Sequence, residues 1–312
     1  MVVRNLNPAG TVLKGVTSRL LACASLTAVA LGAPACVMNV DHEGHIERVE
    51  KRFAVEKVAD LHLYTFDGAI EVRSWDRQEV VVQIEKRGQD KDAVSKIEIL
   101  SEQKGDRLQV EARHTSKPGF VWGVFHSPSA RLIANVPRQT NLTVRTGDGN
   151  IVVERVTGKA EIRTSDGAIR MTETAGTVTV ETGDGSVTLE DVSGRVEART
   201  GDGPIRLTGT PEAVRARSGD GSILLRIRRG AVMADDWMVA TNDGAITIEL
   251  PDGFNAEIEA DPSSDGRVRN DLSLASMTGG TRESRPLKGT LGQGGRRLTV
   301  RTGDGSIRLT NY

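Results

Sequence analysis

Five Asp-Gly turns, at Asp148, Asp166, Asp184, Asp202 and Asp220, follow one another at an unbroken spacing of eighteen residues. A fixed period of this length marks a repeat architecture, in which each unit is one supersecondary element stacked on the next. Read modulo eighteen, the stretch resolves into columns of like chemistry. Thr146, Thr164, Thr182, Thr200 and Ser218 form one column, and Ile151, Ile169, Val187, Ile205 and Ile223 form another. Val153, Met171, Leu189, Leu207 and Leu225 form a third, and Val144, Ile162, Val180, Ala198 and Ala216 a fourth. Apolar columns alternate with polar ones, so each unit holds two short strands of period two, one on either side of the Asp-Gly turn. A second turn, marked by Gly158, Gly176 and Gly194 and interrupted by Glu212, divides unit from unit.

Asp-Gly between alternating runs is also a hairpin signal, so an antiparallel meander competes with a solenoid. A meander leaves its apolar face to be covered by a second layer, whereas a solenoid closes its own core between the strands flanking the turn. The expected fold is therefore all-β, a single-stranded parallel β-helix or β-solenoid with about 18–22 residues per coil. In the turn, glycine supplies positive φ, and aspartate accepts nearby backbone N–H groups. Coils rising about 4.8 Å put the aspartates in a file whose neighbours repel by about 1 kcal/mol in water. Turn N–H bonds and the nearby Arg145, Arg163, Arg199 and Arg217 are expected to offset that repulsion. A row of Ca²⁺ ions is the alternative, but the Gly-Gly-x-Gly-x-Asp nonamer of calcium-binding rolls is absent. No metal and no cofactor is expected.

The rest of the chain suits a thin β structure. Its 312 residues include three Trp, two Tyr and five Phe against thirty-four Gly, so the core has to be aliphatic. Forty-one Lys and Arg nearly balance forty-two Asp and Glu, which argues against nucleic acid as a partner. Arg4, Lys14 and Arg19 precede an apolar run from Leu20 to Leu31 and then Gly32-Ala33-Pro34-Ala35-Cys36, the pattern of an export signal. Cys36 is the candidate lipid acceptor, and ordinary cleavage near Ala35 is the alternative. The only two cysteines, Cys23 and Cys36, both lie in this segment, so a disulfide does not staple the β domain. Expected divisions are a leader at 1–35, a tether at 36–52, irregular coils at 53–140, the regular array at 141–228, and irregular coils with a cap at 229–312.

Several stretches carry the resemblance to a known family: the Thr-Gly-Asp-Gly turns, Ile70-Glu71-Val72-Arg73-Ser74-Trp75-Asp76, Val136-Pro137-Arg138-Gln139-Thr140-Asn141-Leu142, and Gly289-Thr290-Leu291-Gly292-Gln293-Gly294-Gly295. With these, the chain resembles the bacterial adhesin-like β-strand-repeat proteins, an exported domain family of unknown function, from about Phe53 to Leu309. The resemblance implies a single-stranded β-helix with an adhesive or envelope role, and it brings no catalytic residues.

No nucleophile elbow, phosphate-binding loop, dinucleotide fingerprint or zinc spacing is present. Asp41-His42-Glu43-Gly44-His45 reads as a solvated linker in preference to a weak metal site. Gly119–His126 gathers Phe120, Trp122 and Phe125 in a chain otherwise poor in aromatics. Two readings stand for it: a plug over one end of the core, or an exposed loop that docks on a glycan, protein or membrane. Trp75 and Trp237 are expected at coil edges. β-Helices also carry polysaccharide lyases and hydrolases, and a polysaccharide-active enzyme is the alternative; a glycosidase needs two carboxylates in unlike environments, whereas these aspartates repeat in like ones. The expected function is therefore non-catalytic: a lipid-anchored, adhesin-like binding or scaffold protein of the cell envelope. Its expected ligand is a glycan or an envelope protein, and the membrane is contacted only through the anchor.

Overall fold

The computed structural model describes residues 44–115, 127–263, 266–278 and 286–312. Strand follows strand throughout, and the one α-helix among the described residues is the single turn Lys91–Ser95, capped by Asp90.

Residues eighteen apart lie side by side. Ile162 pairs in parallel with Val144 and Val180, Ile169 with Ile151 and Val187, and Leu207 with Leu189 and Leu225. All of these side chains are buried, so the two inward-facing sets form a continuous aliphatic ladder. Each coil contributes one strand before the Asp-Gly corner to one face of the stack and one strand after it to the other. Past Ser218 the step lengthens to twenty-three residues, since Arg215 pairs with Met238 and Ile223 with Ile246.

Among the described residues the stack holds ten coils, and at both ends spatial order departs from chain order. Coil 1 is Arg107–His114 with Ser129–Pro137, and coil 2 is the earlier segment Ala59–Thr65 with Ile70–Trp75. Coil 3, Thr140–Arg145 with Ile151–Glu154, stacks on coil 2 and opens the regular array, which runs to coil 7. Coil 8 is Trp237–Thr241 with Ile246–Leu250. Coil 9 is the last segment of the chain, Arg297–Thr302 with Ile307–Asn311, slipped between coil 8 and coil 10, which is Ala256–Pro262 with Val268–Asn270.

An all-parallel helix is corrected at these ends. Glu79–Gly88 pairs antiparallel with Ser129–Pro137 and His45–Ala54 with Glu79–Gly88, while Ile97–Lys104 pairs antiparallel with Arg107–His114. At the far end Leu287–Leu291 runs antiparallel to both Ala256–Pro262 and Leu274–Thr278. The pairing is thus mixed: a stacked strand at an open end offers unpaired N–H and C=O groups, and a reversed strand covers them. The outermost strand at the first end, His45–Ala54, is dense in Glu, Arg and Lys, a composition that discourages edge-to-edge association. Part of the expected tether, from His45 onward, is therefore strand.

Trp237 stands at the first position of the strand Trp237–Thr241 and is fully buried there, with its ring 5.6 Å from that of Phe254 and its Nε1 donating to Glu212 O at 3.1 Å. Glu212 is the extra residue of a bulge, because Gly194 pairs with Pro211 and Arg195 with Ala213. That bulge aims the Glu212 carbonyl at the indole. Trp75 likewise lies at a strand end, half-buried under the Arg77 guanidinium at 4.9 Å.

Candidate functional site

The Asp-Gly corner is built by hydroxyls and bare backbone. Thr146 donates to Gly68 O, Thr164 to Gly149 O, Thr182 to Gly167 O, Thr200 to Gly185 O, Ser218 to Gly203 O, Thr241 to Gly221 O and Thr302 to Gly244 O, at 2.8–3.0 Å. In five of these coils the same oxygen accepts the N–H of the glycine three residues on, as Ser218 does from Gly221 at 2.9 Å. One small side chain thus fastens its own turn and the turn of the preceding coil.

The glycine after each aspartate is required for close approach. A Cβ on Gly167, Gly185, Gly203 or Gly221 would stand 2.0 Å from the carbonyl oxygen of the stacked glycine. These four residues lie outside the left-handed region, so the expected role in positive φ is corrected here. Positive φ is found at the first Asp-Gly turn, at Gly68, and at the opposite corner, at Gly158, Gly176 and Gly194 and at the non-glycine residues Arg155, Glu173 and Asp191.

The five aspartates of the regular array are exposed. Among the described residues, Asp148, Asp166, Asp184, Asp202 and Asp220 have neither the turn N–H bonds nor the arginine partners expected of them. Those arginines are engaged elsewhere. Arg163 pairs with Glu181 at 3.0 Å and Arg199 with Glu197, Arg217 reaches Met238 Sδ, and Arg145 lies over the Tyr64 ring. No group of three or more His, Cys, Asp or Glu that would hold a metal occurs among the described residues. Cys36, Phe120, Trp122 and Phe125 lie outside the described residues. The strands that the 116–126 segment joins, ending at His114 and starting at Ser129, belong to coil 1.

One place breaks the surface pattern of the repeat, the outward side of coil 2. The column that runs Thr143, Glu161, Thr179, Glu197, Arg215 has His62 there, and the column Arg145, Arg163, Glu181, Arg199, Arg217 has Tyr64. The position after the hydroxyl residue is Gly147, Ser165, Gly183, Gly201, Gly219, Asn242 or Gly303 in the coils that follow along the stack, and Phe66 here. Tyr64 and Phe66 are half-buried. His62 Nδ1 is 3.1 Å from Tyr64 Oη, and His62 Nε2 is 3.2 Å from Asp60 and 3.3 Å from Arg107. The Phe66 and His114 rings are 5.6 Å apart, and the Arg145 guanidinium is 5.9 Å from the Tyr64 centroid. A groove of about 500 Å³ runs between Tyr64–Phe66, Glu111–His114 and Arg145–Gly147. No local motif in the sequence marks this cluster. The signal is a departure from column chemistry, which appears only once coil 2 is placed beside coil 3.

Residues 58–310 match the model of a protein family described as Toastrack DUF4097. Among solved structures, a "putative adhesin" from Bacteroides fragilis is 14% identical over 85% of this chain and 97% of its own, with a TM-score of 0.38. A "putative lipid binding protein" from Parabacteroides distasonis is 14% identical over 86% and 98%, with a TM-score of 0.38. A "putative cell adhesion protein" from Clostridium sporogenes is 12% identical over 86% and 100%, with a TM-score of 0.30. No curated protein matches the chain.

Proposed function

The chain belongs to the Toastrack DUF4097 family, and we propose that it is a non-catalytic, adhesin-like binding or scaffold protein of the cell envelope, anchored through a lipid on Cys36. Its repeating part is read as a parallel β-helix, whose coils of eighteen residues, lengthening to twenty-three past Ser218 in place of the expected 18–22, hold a binding surface away from the membrane. The observation that carries this reading is the sameness of the corner. Asp148, Asp166, Asp184, Asp202 and Asp220 occupy equivalent exposed positions, whereas hydrolysis of a glycosidic bond needs one carboxyl kept protonated and another ionised. The localisation rests on the leader: basic residues, an apolar run too short to span a bilayer, and small residues before Cys36.

Two measurements test it. Mass spectrometry of the membrane-bound protein should find acylated Cys36 at the mature N-terminus, and Cys36→Ser should release the chain to the soluble fraction. A panel of acidic and neutral polysaccharides should be bound without being shortened. Depolymerisation that disappears when a neighbouring Asp pair is changed to Asn would make the protein an enzyme instead.

A further inference from the structure

We propose that the outward side of coil 2 is a subsite for an acidic saccharide, with the Tyr64 and Phe66 rings as the stacking surface and Arg145 as the carboxylate anchor. This rests on the binding role proposed above and specifies its place and ligand class.

The repeat itself supplies the reference state. Coils that stack with the same register and the same aliphatic ladder need only small or charged residues at these outward positions, as coils 3 to 7 show. Tyr64 points away from the core and adds nothing that neighbouring coils require for folding, whereas Phe66 rests one side on the small buried cluster Ile97, Ala112 and Ala130 and offers only the remainder of its ring outward. Together they leave part of two large apolar rings in contact with water, which a ligand with an apolar face would relieve. Such grouping is uncommon in a chain with two Tyr and five Phe.

Ligand chemistry follows from the neighbours. A pyranose ring has a flat C–H face that suits an aromatic ring and hydroxyls that suit the polar groups at the groove edge. The groove's volume of about 500 Å³ lies in the range of small-ligand sites. Charge selects among sugars. Arg113 is committed to Glu111 through two hydrogen bonds, and Arg107 lies 3.3 Å from Asp60. Arg145 differs: its in-register neighbour is Arg163, which turns to Glu181, and the carboxylate that feels its charge, Glu161, is paired with Lys159 at 2.7 Å, so among the described residues Arg145 forms no ion pair of its own. A guanidinium held over an aromatic ring, with its forked donors uncommitted, matches the carboxylate of a uronate unit.

The test is calorimetric titration of the full chain with two probes, a galacturonate tetrasaccharide and its carboxyl-reduced galactose counterpart. The acidic probe should bind more tightly, and Arg145→Ala should weaken it by about tenfold while leaving the neutral probe unchanged. Tyr64→Ala, which installs the residue that coil 8 carries at the same position, should weaken both probes by about tenfold without lowering the melting temperature, whereas Phe66→Leu, which keeps an apolar side chain on Ile97, Ala112 and Ala130, should weaken both probes and leave the fold intact. Glu181→Ala, in the column of Tyr64 but three coils away, should change nothing. Failure of the unmodified chain to bind the acidic probe overturns the proposal, as does binding that survives the Tyr64→Ala/Arg145→Ala double change. In the second case the wider binding role stands and only this subsite falls.

Discussion

At the scale of residues, the hydroxyl of each Thr or Ser carries the corner. Thr182 Oγ1 satisfies the carbonyl of Gly167 at 3.0 Å inside a buried turn, so Thr182→Val should cost about 1–3 kcal/mol by leaving a buried acceptor unpaired. Thr182→Ser should be nearly neutral, because Ser218 does the same work two coils on. Gly185→Ala should cost more than about 3 kcal/mol in chemical denaturation, since its Cβ would meet backbone that is fixed by both neighbouring coils. The exposed aspartates should behave oppositely. Changing Asp166, Asp184 and Asp202 together to Asn should raise the melting temperature at low salt, with the gain fading as salt is added. CaCl₂ and NaCl at equal ionic strength should raise the unmodified protein's melting temperature alike, and an excess effect of Ca²⁺ would contradict this. Residue columns were legible in the sequence; the division of labour within them was not. A sequence displays Thr, Asp and Gly at fixed spacing, but which of the three bonds to the next coil depends on how closely two backbones approach.

At the scale of elements, the period of eighteen conveyed the register of the array because each apolar column has one consistent way to stack. Where spacing becomes irregular that constraint lapses. Ile70 pairs with Ile151 across eighty-one residues and Ile246 with Ile307 across sixty-one, and nothing in the local pattern announces that a later segment slips inside an earlier one. The antiparallel covers are equally unannounced, since strands such as Leu274–Thr278 carry a weak alternation and no charge. The opposite corner also stores strain. Glu173 has φ 52°, so Glu173→Gly should stabilise the protein by about 0.5–1 kcal/mol in denaturant unfolding; an equal loss would mean that the side chain is needed there. At the capped end, Asp106 accepts the amides of Glu56 at 2.8 Å and Lys57 at 3.2 Å. These bonds hold its carboxyl below the ordinary range. A depressed folded value stabilises fully above the unfolded pKa of about 4 and is lost as pH falls through the folded value. Asp106→Asn should therefore narrow the stability gap to the unmodified chain as the solution is acidified, and a pH-independent gap would contradict the assignment.

At the scale of the molecule, a single stacking rule runs through coils whose chain separations differ widely, and the surface proposed for binding is defined against that rule. If coils advance by about 4.8 Å each, distance along the Asp file depends on coil number alone. The only native cysteines are Cys23 and Cys36, so with Cys36 replaced and the leader removed, spin labels can be placed cleanly at the corner. Pulsed electron spin resonance on labels at Asp148 paired in turn with Asp220, Asp243 and Asp304 should give separations near ~19, ~24 and ~29 Å, equal steps of about 4.8 Å. The last step spans sixty-one residues and the one before it twenty-three, so unequal steps, or a label at Asp304 that falls off the line, would contradict the stacked architecture.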